Sequence, residues 1–131
     1  MPTGTLTSQA VGERILDLVP IAANAISSPV LIQRANARIS VHPSASATVR
    51  VYKSTSPASL ITADQSAGRL SYANFNSGDL STLSSNWVLW ASGGVTVPST
   101  EGQQDSSGWT AVIATATGGA GTSNLEVVQD P

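Results

Sequence analysis

The 131-residue sequence predicts an all-β fold, a single-domain antiparallel β-sandwich or barrel with an extended N-terminal arm. Three observations predict it. Residues 37–42 and 48–53 alternate apolar and polar side chains, as half-buried strands do. Residues 109–117 are rich in β-branched side chains, which favour strands. Charged residues make up only 11% of the chain, and strong helix formers such as Lys and Glu are scarce.

The chain begins with a polar segment, and we assign residues 1–14 to the arm and residues 15–131 to the sandwich domain. The arm is rich in Thr and Ser and has little apolar surface to bury. The apolar pattern begins at Ile15. Because Pro20 interrupts a helix, residues 15–21 are expected to form a strand with a bend at the proline.

The two alternating segments at residues 37–42 and 48–53 are expected to pair as an antiparallel hairpin through a turn at residues 43–46. Lys53 lies on the same strand face as two of the expected core residues, so its side chain must leave the core at the strand end. The side chains expected in the core are Ile39, Val41, Val49, Val51, Val112 and Val127.

The remainder of the chain combines expected loops with two further strands. Apolar residues are spaced irregularly over residues 58–86, which predicts a long loop with at most one short strand or turn of helix. Residues 99–108 are expected to form a polar loop. The last strands, at residues 109–117 and 125–128, are expected to join through a hairpin turn at residues 118–121.

The residue types and their spacing provide no recognisable catalytic or metal-binding motif. There is no cysteine, and a metal site at the single histidine, His42, would need carboxylates for all its other ligands. The acidic residues are dispersed, and no Gly-x-Ser-x-Gly elbow occurs. We therefore expect neither an enzyme nor a metal or cofactor. Six scattered basic residues and a net charge of -2 argue against nucleic-acid binding.

Nothing in the sequence predicts export or membrane insertion. The N-terminus has no basic region followed by an apolar one, so we expect no secretory signal. No apolar run approaches the ~18 residues of a membrane span, so we expect no membrane partner.

Aromatic residues are the remaining candidates for function. Trp87, Trp90, Trp109 and Tyr72 form either a sugar-stacking platform or a mixture of core and protein interface, and we favour the second interpretation. Trp87 and Trp90 are three residues apart, so in a strand they point to opposite faces. One of the two is therefore expected outside the core, where it can contact a partner.

Several segments, taken in order, resemble small virion proteins of tailed bacteriophages. They are the strands at 38–41 and 47–52, Thr-Ser-Pro at 55–57, Trp-x-x-Trp at 87–90, Gly-Val-Thr at 94–96, and the strands at 110–117 and 125–128. The resemblance implies a β-sandwich that decorates or cements the capsid, located on the capsid surface after assembly in the host cytoplasm. The alternative it implies is a tail-tip or fibre module that binds a host receptor or glycan.

The resemblance also implies partners. They are the major capsid protein and further copies of the same chain, as a trimer or dimer. Residues 2–12 are too poor in apolar side chains to fold alone, so we expect them to order on a partner or to add a strand to its sheet edge. The expected partner-binding residues are Trp87, Trp90, Thr3, Thr5 and Leu6.

Overall fold

The computed structural model describes residues 14–34, 36–90, 94–103 and 109–130. Two antiparallel sheets pack face to face and two helices follow the fifth strand, which confirms the predicted all-β sandwich. In chain order the elements are β1 (Ile15–Ile21), β2 (Ala25–Ile26), β3 (Val30–Leu31), β4 (Asn36–His42), β5 (Ala47–Ser54), α1 (Ala58–Ser66), α2 (Tyr72–Ser77), β6 (Val88–Leu89), β7 (Ser99–Gln103), β8 (Ala111–Gly118) and β9 (Ser123–Asp130).

The first sheet, sheet A, has the strand order β1-β9-β4-β7. Among the described strands β1 pairs with β9 alone, so it forms an edge, where a proline is tolerated because its missing N–H can face away from the ladder. The predicted strand at residues 15–21 is confirmed. Its register with β9 continues through Pro20, which lies opposite Asn124.

The second sheet, sheet B, has β8 at its centre, with β2 and β3 on one side and β5 and then β6 on the other. The core lies between the two sheets and contains side chains from the inner face of each. All six residues predicted to be buried are buried there. They are Ile39, Val41, Val49, Val51, Val112 and Val127.

The predicted hairpins are wrong. β4 lies in sheet A and β5 in sheet B, and β8 and β9 are likewise in different sheets. Alternation decides which face of a strand is buried, but it does not choose the neighbouring strand, and a connection of four residues can also span the ~10 Å between packed sheets. The two connections lie side by side, with the Ser44 N–H donating to Ser123 Oγ over 2.9 Å.

A second core covers the outer face of sheet B. Its buried residues are Tyr52, Ile61, Phe75, Trp87, Ala111 and Ile113. The ring of Phe75 packs edge-on against Tyr52 and Trp87, with centroid distances of 5.0 and 5.7 Å. β8 is therefore buried on both faces, which explains its continuous run of apolar and small residues.

The expectation of a long loop over residues 58–86 is wrong, because the segment contains α1 and α2. Their buried residues are only Ile61, Asp64 and Phe75, so the sequence shows little helical periodicity. The caps of α2 are recognisable: the Ser71 hydroxyl accepts from Asn74 N–H over 3.2 Å, and Gly78 closes the helix at φ 80°.

The expected polar loop at residues 99–108 is also wrong in its first half, because β7 pairs with β4. Within the described residues β7 is an edge strand with one neighbour, and polar residues are common on edge strands.

Candidate functional site

The two tryptophans predicted to bind a partner lie on opposite sides of sheet B. Trp87 is 8% exposed and belongs to the second core, beneath the helices. Trp90 is half-buried and packs against the core between the sheets, and its backbone N–H donates to the Val51 carbonyl over 2.8 Å. Of the two tryptophans, Trp90 is therefore the more exposed. Partner binding by either residue stays a prediction.

Trp87 belongs to a buried polar network. Its indole Nε1 donates to Ser85 Oγ over 2.8 Å, and the Ser85 hydroxyl donates in turn to Asp64 Oδ2. The Asp64 carboxylate also accepts from the N–H groups of Ser84 and Ser85, at 2.9 and 2.8 Å. The network connects α1 to the segment that leads into β6, so it holds the helices on sheet B.

The electrostatics of this network favour a charged Asp64. Burial raises the pKa of the carboxyl group, but hydrogen bonds from Ser84, Ser85 and the Arg69 guanidinium outweigh it and lower the pKa to about 2. The side chain of Asp64 is fully buried. A buried carboxylate with four donors is fully satisfied, which indicates a structural role.

Lys53 and Trp109 lie together near the end of the sandwich. Lys53 Nζ lies 3.5 Å from the centre of the Trp109 ring, which is a cation–π contact. Trp109 is half-buried and packs against the core between the sheets. Lys53 was expected to leave the core at the end of its strand, and there its side chain covers the Trp109 ring.

The four aromatic residues considered for sugar stacking do not share one surface. Trp87 lies with the second core on the outer side of sheet B, whereas Trp90 and Trp109 pack against the core between the sheets. The Tyr72 hydroxyl lies 2.9 Å from Thr117 Oγ1, on the outer face. The geometry therefore provides no common platform for a sugar.

The outer face of sheet A carries two strongly exposed leucines, which the sequence pattern did not single out. Leu16 and Leu18 on β1 are 61% and 66% exposed. Leu16 lies opposite the half-buried Val128 of β9. Val19, on the other face of β1, packs against the core between the sheets, and Ile15 on that face is half-buried. A strand with apolar residues on both faces was the available signal for a second contact surface.

Charges surround these leucines on the same face. Arg14 Nε lies 2.7 Å from Asp130 Oδ1, and His42 Nε2 lies 3.6 Å from Glu126 Oε1. Arg38 is exposed and lies opposite Val128, and within the described part of the chain it forms no ion pair. We call this outer face of sheet A, formed by β1, β9 and β4, the open face.

The described residues contain no group of three or more His, Asp or Glu side chains arranged to hold a metal ion. No described helix is both long and apolar enough to cross a membrane. Thr3, Thr5 and Leu6, the arm residues predicted to bind a partner, lie outside the described residues.

Comparisons with protein families, with curated proteins and with solved structures give no match for this chain.

Proposed function

We propose that this chain is a non-enzymatic virion protein that decorates or cements the capsid of a tailed bacteriophage. The observation that carries the proposal is the open face, a strand surface with two exposed leucines on a sandwich that has a core on each side of β8. The order of strand types that resembles small virion proteins gives the proposal its biological setting. Its partners are the major capsid protein and further copies of the chain, as a trimer or dimer.

A protein that cements a lattice must be rigid and must present surface to several neighbours. Rigidity comes from the two cores on either side of β8. Low charge suits close packing of many copies, because a net charge of -2 gives little mutual repulsion. Residues 2–12 supply a polar segment that orders on a neighbouring subunit.

The second candidate is a tail-tip or fibre module that binds a host receptor or glycan. It requires aromatic rings that stack on sugars together. The separation of Trp87 from Trp90 and Trp109 across sheet B weakens this candidate relative to capsid binding.

The test mixes the purified chain with capsids assembled without it and measures bound protein by co-sedimentation. We expect saturable binding to capsids and none to isolated tails. A chain that binds tails, or that is retained on glycans and ignores capsids, would replace the proposal with the second candidate.

The contribution of the arm is measured in the same assay with two variants. One lacks residues 2–12, and its matched control replaces them with a Gly/Ser segment of equal length. If the arm anchors the protein, both variants bind more weakly than the full chain. Unchanged binding by the deletion variant would remove the arm from the proposal and leave the sandwich as the binding part.

A further inference from the structure

The side chains of the open face form rows across the three strands. In one row Leu16 lies beside Val128, which lies beside Arg38. In the next row Leu18 lies beside Glu126, which lies beside Ser40. Each row therefore starts with an exposed leucine at the edge, and the two rows carry opposite charges.

These two rows are complementary to each other under one particular two-fold rotation. The axis lies in the plane of the face, runs perpendicular to the strands and passes between the rows. A second copy related by this axis lays its Leu18 row on the Leu16 row of the first. Leu16 then packs on Leu18 of the second copy, and the reverse contact repeats it.

The same rotation brings opposite charges together. Glu126 of the second copy lies over Val128, one strand away from Arg38, and strands are about 4.8 Å apart. Arg38 and Glu126 thus become neighbours twice across the contact. A two-fold axis parallel to the strands through β9 would instead place Glu126 on Glu126, which like-charge repulsion disfavours.

We propose that the open face is a self-association surface, on which a second copy packs with Leu16 on Leu18 and Arg38 beside Glu126. The proposal deepens the proposed function, because it identifies the surface through which copies of a capsid-decorating protein associate. The self-association itself does not depend on a capsid.

The area of the open face determines how tightly two copies are expected to bind each other. Three strands of about seven residues cover roughly 350 Å² per copy, given the spacing of strands and residues in a sheet. Two copies would bury roughly 700 Å² in total, which is less than the ~1,200–2,000 Å² typical of stable complexes. We therefore expect a dimer that dissociates at micromolar concentration and forms fully only when copies are concentrated, as on a capsid.

Sedimentation equilibrium of the full chain, from micromolar to millimolar concentration and without capsids, tests the proposal. We expect a reversible monomer–dimer equilibrium. The double variant Leu16→Ser/Leu18→Ser should weaken it at least tenfold, since about 1.4 kcal/mol of lost contact suffices for that change. Both side chains are exposed, so the variant should fold normally. Val97→Ser, at an equally exposed valine outside this face, is the matched control and should leave the equilibrium unchanged.

Charge reversal tests the orientation of the two copies. Arg38→Glu alone and Glu126→Arg alone should each weaken dimerisation, because each places like charges side by side across the contact. The double variant Arg38→Glu/Glu126→Arg should restore it toward the wild-type value. If the single variants dimerised poorly only because they were less stable, the second substitution would not restore dimerisation.

A chain that is monomeric at every concentration would overturn the proposal, and so would an association that the leucine variant leaves intact. A monomeric chain whose leucine variant loses capsid binding would assign the open face to the capsid protein instead. Failure of the proposed function gives a different result, in which the chain dimerises as expected but binds no capsid.

Discussion

Asp64, in the last turn of α1, forms an ion pair with Arg69, in the connection to α2, with Asp64 Oδ1 2.9 Å from Arg69 Nε. The carboxylate is fully buried, whereas the guanidinium side chain keeps 35% of its surface exposed. The same turn is closed by the Arg69 N–H, which donates to the Asp64 carbonyl over 2.9 Å. Asp64 thus connects α1 to the segments on either side of α2, and so organises the helices that cover sheet B.

Replacing Asp64 by Asn tests this organising role. The amide keeps the size of the side chain but presents an N–H₂ group to donors that need an acceptor. Leaving buried donors unpaired costs about 2–3 kcal/mol in the free energy of unfolding, measured by urea denaturation. Asp79→Asn is the matched control, because Asp79 is exposed and its hydrogen bonds are local. Equal losses in the two variants would show that Asp64 has no special role.

Acid should destabilise the protein through the same residue. The pKa of Asp64 is lowered from 3.8 to about 2 in the folded chain, so its charged form is stabilised by folding. That stability is present in full above about pH 4 and is lost as the pH falls toward 2. The loss amounts to about 2 kcal/mol. Urea denaturation between pH 5 and pH 2 should show a steeper decline for the wild type than for Asp64→Asn, and parallel declines would contradict the assignment.

Val51 is buried between the two sheets, so a charged side chain at this position should strongly destabilise the fold. Val51→Asp introduces an unpaired carboxylate into a site that is 2% exposed and should lower the free energy of unfolding by about 3–5 kcal/mol. Val88→Asp is the matched control, because Val88 is 64% exposed on the neighbouring strand. Thermal unfolding followed by circular dichroism compares them. Normal stability of the Val51 variant would mean that the inner face of β5 is wrongly assigned.

Much of the sandwich is predictable from the sequence, because the pattern of neighbouring residues determines where a strand forms and which face is buried. Alternation at residues 37–42 and 48–53 identifies both the strands and their buried faces, since side-chain direction has a period of two in any strand. Strand partners are decided by distant contacts. Nothing within residues 37–53 distinguishes a hairpin from a crossing between sheets, so the strands were predicted correctly and their pairing was not.

The candidate site was less predictable than the fold for a related reason. Leu16 and Leu18 looked like ordinary strand residues, because their exposure depends on whether another layer covers sheet A. Trp87 looked like a possible contact residue, but α1 and α2 bury it. Those helices were overlooked because a helix that lies on a sheet with few buried side chains shows little periodicity. Ser71 and Gly78, which cap α2, were the usable signals.

Gly119 lies where the chain crosses from sheet B back to sheet A, at φ 79°. A Cβ atom added there would lie 2.8 Å from Ala47 Cβ and 3.0 Å from the Ala45 carbonyl oxygen. Gly119→Ala should therefore suffer both the left-handed backbone penalty of about 1–2 kcal/mol and a steric clash with the neighbouring connection.

Gly68 is the matched control for that substitution. It has a similar φ of 74°, but an added Cβ would meet no atom within 4 Å. Gly68→Ala should show the backbone penalty alone, so the difference between the two variants in urea denaturation isolates the contact between the two connections. We expect Gly119→Ala to be the less stable by a further 1–3 kcal/mol, roughly the cost of overpacking. Equal stabilities of the two variants would mean that the connection at residues 119–122 does not pack against the connection at residues 43–46.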